Sequence, residues 1–267
     1  MTILQKKNFL LTNGCSFCLG DELTDPKNQH YSKFLAEHLD ADYECIAANG
    51  SSNDRIFRTT LNYIFGAEPG KITHVAIQWS ALQRTEYFCD DEDFCKFREE
   101  NFEYYDNFMQ MSPYASELER GYYKRRRQAI KEYYSNMFNL ETATMHLYNY
   151  IETIYNVCKQ LNIKVIQGTF HDQMVNEIKS ITRSDRADKY KNNTQKYAVL
   201  KFISDIYNIF DRVPNDQFMG IYFFSSFGRF TQTFNDIGFL KGGHPDEHAH
   251  KRWGGYLYDV FQGNQCS

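Results

Sequence analysis

The chain has 267 residues, of which 42% are hydrophobic, and this is enough for one large core, so we predict a single domain over residues 1–267. The formal net charge is -4 with acidic and basic residues interspersed, which argues against nucleic acid binding. No apolar stretch approaches the roughly 20 residues of a membrane span, so we expect a cytoplasmic protein with no membrane partner.

Short apolar runs and helical periods alternate along the chain. Strands are predicted at residues 8–12, 43–47, 74–79 and 163–168. Helices are predicted around residues 31–39, at 56–64 after Ser51 and Ser52 as candidate caps, and at 140–161. This order predicts an α/β fold, a three-layer sandwich with a central, mostly parallel sheet flanked by helices.

Residues 85–138 break this alternation. They are acidic and aromatic at first and then helix-like, which predicts a helical, aromatic-rich insertion after the third strand. Ligands bind beyond the carboxyl ends of parallel strands, so the insertion could cover a site as a lid. A contact between copies of the chain or an extra packing layer is the alternative. Residues 184–210 predict a helix, and residues 218–227 predict a fifth strand or an aromatic loop.

The segment TNGCSF, residues 12–17, places Ser16 directly after the first predicted strand. Gly14 permits a tight turn, so the hydroxyl could project from the loop with the Ser16 backbone N–H free. A serine nucleophile needs a base and oxyanion donors that converge at the same edge of the sheet. A Gly-x-Ser turn alone is more often structural, so the other segments at this edge decide the interpretation.

Three further segments reach that edge. AANGSSNDRI, residues 47–56, offers the N–H of Gly50 and the amide of Asn53, and VAIQWSALQR, residues 75–84, delivers polar side chains after the third strand. GGHPDEHAHKRWGGYL, residues 242–257, presents His244 just before a helix that Pro245 and Asp246 are suited to start. The candidate substrate contacts are Asn53, Gln78 and Arg84. Arg84 could instead form an ion pair with Glu86.

Together these segments resemble the SGNH (GDSL-like) hydrolases, in particular the divergent versions encoded by bacteriophages. NGCSFCLGDEL resembles the first block of that family, NGSSNDRI the second and HPDEHAHKRW the last. The resemblance implies Ser16 as nucleophile, His244 as general base and the backbone N–H groups of Ser16 and Gly50 as oxyanion donors, with no cofactor. It also implies a small-molecule or carbohydrate ester substrate and, for a phage protein, the host cytoplasm or the virion. A homo-oligomer is a further expectation.

Two positions depart from the family pattern. The third block normally ends in Gly-x-Asn-Asp, whereas this chain has Gln78-Trp79-Ser80, which leaves Ser80 as the candidate third oxyanion donor. The family aspartate three residues before the histidine is replaced by Lys241. A carboxylate from elsewhere, such as Asp236 or Asp172, or a backbone carbonyl must then orient His244. We expect Asp246 to begin the helix instead.

The histidines and cysteines of the sequence also permit metal or redox chemistry. His244, His248 and His250 have an H-x₃-H-x-H spacing, but helical positions two apart face different directions, so we expect no metal site, a buried His250 and an exposed His248. The seven cysteines are scattered through apolar segments and predict reduced thiols, with a redox or metal role for the C-x-x-C of residues 15–18 as the alternative.

The leading hypothesis is a serine hydrolase that cleaves an ester or O-acetyl group through an acyl-enzyme on Ser16. The alternative is a catalytically decayed SGNH-like binding module or virion-associated structural protein. A transferase on the same scaffold is the third hypothesis.

Overall fold

A five-stranded parallel sheet forms the centre of the computed structural model, which describes residues 7–89, 92, 108–113, 121–169, 221–222 and 238–263. In chain order its strands are β1 (Asn8–Asn13), β2 (Ala41–Cys45), β3 (His74–Trp79), β6 (Lys164–Thr169) and β7 (Ile221–Tyr222). Two further strands, β4 (Thr85–Phe88) and β5 (Phe108–Met111), pair antiparallel in a separate hairpin. The spatial order of the central sheet is β2-β1-β3-β6-β7, which places β1 and β3 side by side inside it.

The described helices connect these strands as the periodicity predicts. They are α1 (Ser16–Leu19), α2 (Pro26–Gln29), α3 (Tyr31–His38), α4 (Asn53–Gly66), α5 (Gly121–Glu132) with a π-helical turn at Tyr133–Met137, α6 (Leu140–Gln160) and α7 (Glu247–Phe261). Ser52 caps α4 by accepting the Arg55 amide N–H, and Asp246 caps α7 by accepting the Ala249 amide N–H. Both predicted helix starts are therefore confirmed.

Successive residues of the inner strands point to opposite faces of the sheet, and each face carries its own helices. Leu10 and Ala76 pack with α3 and α7, whereas Leu11 and Val75 pack with α4 and α6 on the other side. The predicted three-layer α/β sandwich with a parallel sheet is confirmed. Among the helices just named, none is long and apolar enough to cross a membrane.

The second strand begins two residues earlier than predicted. β2 is an edge strand, so Ala41 and Asp42 pair with β1 although Asp42 is exposed. An edge strand does not need a continuous apolar run, which is why the sequence signal missed its start. Ile46 and Ala47 are buried beyond its end, and their hydrophobicity moved the predicted boundary forward.

The insertion after β3 contains an element that the sequence pattern did not predict. The β4–β5 hairpin opens it, and α5 together with this hairpin encloses a small core of its own, formed by Cys89, Met109, Met111 and Ile130. The predicted helix at residues 184–210 and the candidate carboxylates Asp172 and Asp236 lie outside the described residues. Of residues 218–227, the two that are described form β7, as the strand alternative predicted.

Candidate active site

Ser16 is the first residue of α1, immediately beyond the carboxyl end of β1. It is buried, with 9% of its surface exposed, and its backbone N–H has no acceptor within the helix because it starts the first turn. Gly14 is required here because a Cβ at that position would lie 2.7 Å from the Cys18 Cβ and 3.0 Å from the Gln78 carbonyl oxygen. The chain therefore turns sharply from β1 into α1, as predicted.

His244 lies against the segment that follows Ser16. Its ring centroid is 5.2 Å from that of Phe17, and its Nδ1 is 3.0 Å from Glu22 Oε2. The same carboxylate oxygen accepts the His244 backbone N–H at 3.4 Å, while Nε2 lies 3.9 Å from Asp21 Oδ2. Across the described ranges, no hydrogen bond joins the Ser16 hydroxyl to the imidazole. The structure thus brings the loop of His244 beside α1, more than 220 residues earlier in the chain.

Glu22 is the carboxylate that contacts His244 Nδ1, at the position for which the sequence showed no aspartate. The hydrogen bond from His244 lowers the pKa of this carboxyl, so Glu22 is an ionised acceptor and Nδ1 must donate to it. In the neutral imidazole this leaves a free lone pair on Nε2. Sequence analysis missed Glu22 because the family pattern placed the acid beside the histidine in the chain, where Lys241 stands.

Two positions next to this pair, Glu22 and Gly242, tolerate few residue types. Glu22 has φ +70°, a left-handed conformation that a residue with a side chain adopts only at a cost. A Cβ at Gly242 would lie 2.1 Å from Glu22 Oε1, so only glycine leaves room for the carboxylate at its present place. A Cβ at position 242 would therefore displace the Glu22 carboxylate from its contact with His244.

The loops after β2 and β3 are tied together through Asn53 and Ser80. The Asn53 amide donates to the Ser80 carbonyl at 3.1 Å and accepts the Ser80 backbone N–H at 2.7 Å. Both residues are buried, so Asn53 acts as a connector whose amide is engaged inside the protein. The Ser80 hydroxyl accepts a hydrogen bond from Arg84 at 2.9 Å, which leaves its own hydrogen available to donate.

Gly50 stands in the preceding loop with φ +72°, exposed, and a Cβ there would meet nothing within 4 Å. Its requirement for glycine is therefore conformational and not steric. Among the described residues, its backbone N–H has no hydrogen-bond acceptor. This is compatible with the predicted donor role.

The surroundings of Gln78 and Arg84 are not those that the sequence predicted. Gln78 is 3% exposed, and its side chain faces a cavity of about 10 Å³ that it shares with Thr169, room for about one water molecule. Within the described part of the chain neither its amide nitrogen nor its amide oxygen has a partner. The predicted Arg84–Glu86 ion pair is wrong, because both carboxylate oxygens of Glu86 accept from Arg58, at 2.8 and 2.9 Å.

Arg84 instead lines an open cleft with a volume of about 120 Å³. The cleft lies between the start of α4, the π-helical turn and the start of α6, and Asn53 is one of the residues that line it. Its walls combine aromatic and polar side chains: Tyr133, Phe138, His146 and Tyr150. The insertion and the predicted substrate contacts Asn53 and Arg84 therefore meet at one surface.

The remaining histidines of the last segment behave as the helical spacing predicts. His250 is buried and its Nδ1 accepts the Tyr31 backbone N–H at 3.0 Å, whereas His248 is exposed. Burial lowers the pKa of His250 to about 3. In the portion of the chain that the structure describes, no three His, Cys, Asp or Glu side chains cluster as metal ligands would.

Comparison with known proteins gives structural similarities alone. No family model matches this sequence, and no curated protein matches it either. Among solved structures, the chain is similar to a lipolytic protein of the G-D-S-L family from Desulfitobacterium hafniense, at 8% identity and a TM-score of 0.46 over 95% of this chain and 99% of that one. It is similar to a member of the same family from Veillonella parvula, at 10% identity and a TM-score of 0.46 over 95% and 98%. It is also similar to the psychrotrophic esterase EstA from Pseudoalteromonas, at 12% identity and a TM-score of 0.45 over 96% and 97%.

Proposed function

We propose that this protein is a serine hydrolase that cleaves carboxylic esters, with Ser16 as nucleophile, His244 as general base and Glu22 as the carboxylate that orients the histidine. The observation that carries the proposal is the 3.0 Å contact between His244 Nδ1 and Glu22 Oε2, beside the Phe17 ring that adjoins Ser16. A carboxylate at Nδ1 fixes the imidazole tautomer so that Nε2 can accept a proton. A serine at the carboxyl edge of a parallel sheet is the nucleophile that this base can serve.

In the proposed reaction the Ser16 hydroxyl attacks the ester carbonyl carbon and its proton passes to His244 Nε2. The negative charge on the carbonyl oxygen is held by the backbone N–H groups of Ser16 and Gly50, with the Ser80 hydroxyl as third donor. His244 then gives the proton to the departing alcohol, which leaves an acyl group on Ser16. A water molecule deprotonated by His244 releases the acid and restores the serine.

The direct test is covalent labelling with a serine-reactive fluorophosphonate. We expect the wild type to be labelled and Ser16→Ala to remain unlabelled, with equal circular dichroism spectra. Labelling that persists in Ser16→Ala would exclude this nucleophile. An unlabelled wild type with an intact fold would favour the alternative, a binding or structural module without turnover.

The role of Glu22 is tested by turnover of p-nitrophenyl acetate. We expect Glu22→Gln to lower kcat by about 10²- to 10⁴-fold, because the amide no longer stabilises the imidazolium. Asp21→Asn is the matched control, since Asp21 neighbours Glu22 but faces Nε2 at 3.9 Å without a hydrogen bond. Equal losses in both variants would refute the specific role of Glu22.

A further inference from the structure

Two free cysteines from distant parts of the chain meet next to the candidate nucleophile. Cys18 lies in α1, two residues after Ser16, and Cys45 is the last residue of β2. Their Sγ atoms are 3.9 Å apart, in van der Waals contact. The Tyr31 hydroxyl donates a hydrogen bond to Cys18 Sγ at 3.0 Å, so the geometry of the pair is fixed by a buried neighbour.

The two thiols differ in burial and in the direction of their pKa shifts. Cys45 is partly exposed, and the hydrogen bond from Cys18 holds the pKa of its thiol well below the usual value. Cys18 is completely buried, and burial raises the pKa of its thiol. A partly exposed thiol of lowered pKa in contact with a buried thiol of raised pKa is the arrangement in which one cysteine reacts with an oxidant and the other resolves the product.

We propose that Cys18 and Cys45 form a reversible redox bridge, with a hydroperoxide as the oxidant. The Cys45 thiolate attacks the hydroperoxide, the O–O bond breaks, and the alcohol or water leaves with a proton while Cys45 becomes a sulfenic acid. The Cys18 sulfur then attacks the Cys45 sulfur. The S–O bond breaks, and the departing hydroxide takes the Cys18 proton to form water. Overall, two thiols and one hydroperoxide give one disulfide, one alcohol or water, and one water.

This bridge would restrain the segment that carries Ser16. Cys18 is packed so tightly under the turn that a Cβ at Gly14 would lie 2.7 Å from its own Cβ. A disulfide between Cys18 and Cys45 of β2 would therefore displace Ser16 and also Phe17, whose ring contacts His244. The oxidised protein is expected to react more slowly at Ser16, and this part of the inference rests on the proposed hydrolase function.

Peptide mapping of the wild type tests the bridge without reference to activity. The folded protein is treated with hydrogen peroxide, remaining thiols are alkylated, and trypsin releases residues 8–27 and 34–55, which contain the two cysteines. Chymotryptic cleavage after Phe17 then separates Cys15 from Cys18. We expect a linked Cys18–Cys45 pair, with a mass lower by two hydrogens, that dithiothreitol reverses. A Cys15–Cys18 link, or Cys45 recovered as sulfinic acid without any link, would overturn the proposal.

Fluorophosphonate labelling tests the functional consequence. We expect peroxide to slow labelling of the wild type by at least about tenfold, dithiothreitol to restore it, and Cys45→Ala to be insensitive to peroxide. Cys158→Ala is the control, because Cys158 is buried in α6 on the opposite face of the sheet and should leave the sensitivity unchanged. A mapped bridge with unchanged labelling would refute the restraint on Ser16. If the reduced wild type does not label, the hydrolase proposal fails, while the mapping still decides whether the bridge forms.

Discussion

Acid is expected to weaken this protein through His250. Its Nδ1 accepts the Tyr31 backbone N–H inside the contact between α3 and α7, and burial lowers its pKa from 6.5 to about 3. The unfolded chain therefore binds the proton first, so stability is fully present above pH 6.5 and is lost as the pH falls toward 3. These two pKa values correspond to a loss of about 2 kcal/mol in the free energy of unfolding between pH 8 and pH 5.

Urea unfolding followed by tryptophan fluorescence at the two pH values measures this loss. The matched variant is His250→Gln, which keeps an acceptor for the Tyr31 N–H but does not titrate. Its free energy of unfolding should therefore fall less than that of the wild type between pH 8 and pH 5, by about 2 kcal/mol. His74, whose pKa burial lowers to about 4, contributes equally to both and cancels. The exposed His248→Gln should behave as the wild type. An equal pH dependence of His250→Gln and the wild type would refute the reasoning.

Three further predictions concern glycine and the conformation that glycine prefers. Gly254→Ala should destabilise the fold by about 1–3 kcal/mol in urea unfolding, because its Cβ would lie 2.9 Å from α3, whereas Gly255→Ala has its nearest neighbour at 3.7 Å and should be neutral or stabilising. Glu22→Gly should be at least as stable to urea as Glu22→Gln, because glycine adopts φ +70° without strain. Both variants should be equally inactive toward p-nitrophenyl acetate. Gly242→Ala should lower kcat in that assay although it removes no proposed catalytic group, because its Cβ displaces Glu22 from His244. Unchanged turnover would show that the contact between Glu22 and His244 is not needed for catalysis.

Hydrophobic period and helix caps predicted most of the described fold. The inner strands β1, β3 and β6 are buried on both faces, and their continuous apolar runs located them to within a residue or two. The β4–β5 hairpin was not predicted, because its stability comes from a small core with α5 that joins residues far apart in the chain. Its partly exposed strands carry no apolar run that would distinguish them from a loop.

The sequence predicted that Ser16 and His244 lie at one edge of the sheet, but it did not predict the contact of Glu22 with His244. Ser16 and His244 could be placed at one edge because each follows or precedes a recognisable element. Glu22 could not, because its role depends on the left-handed turn that directs its side chain toward a loop more than 220 residues later. Arg84 and Glu86 are two residues apart in the sequence, but both carboxylate oxygens of Glu86 accept from Arg58 of α4.

The distance along the chain between α1 and α7 has a consequence during protein synthesis. The residues around Ser16 leave the ribosome long before residues 244–261 are made, and the hydrogen bond from the Tyr31 N–H to His250 forms only after α7 has been made. Until then the nascent chain presents an incomplete layer on one face of the sheet, and Ser16 lacks its proposed base. Translation of the last helix therefore sets the earliest moment at which the proposed chemistry can begin.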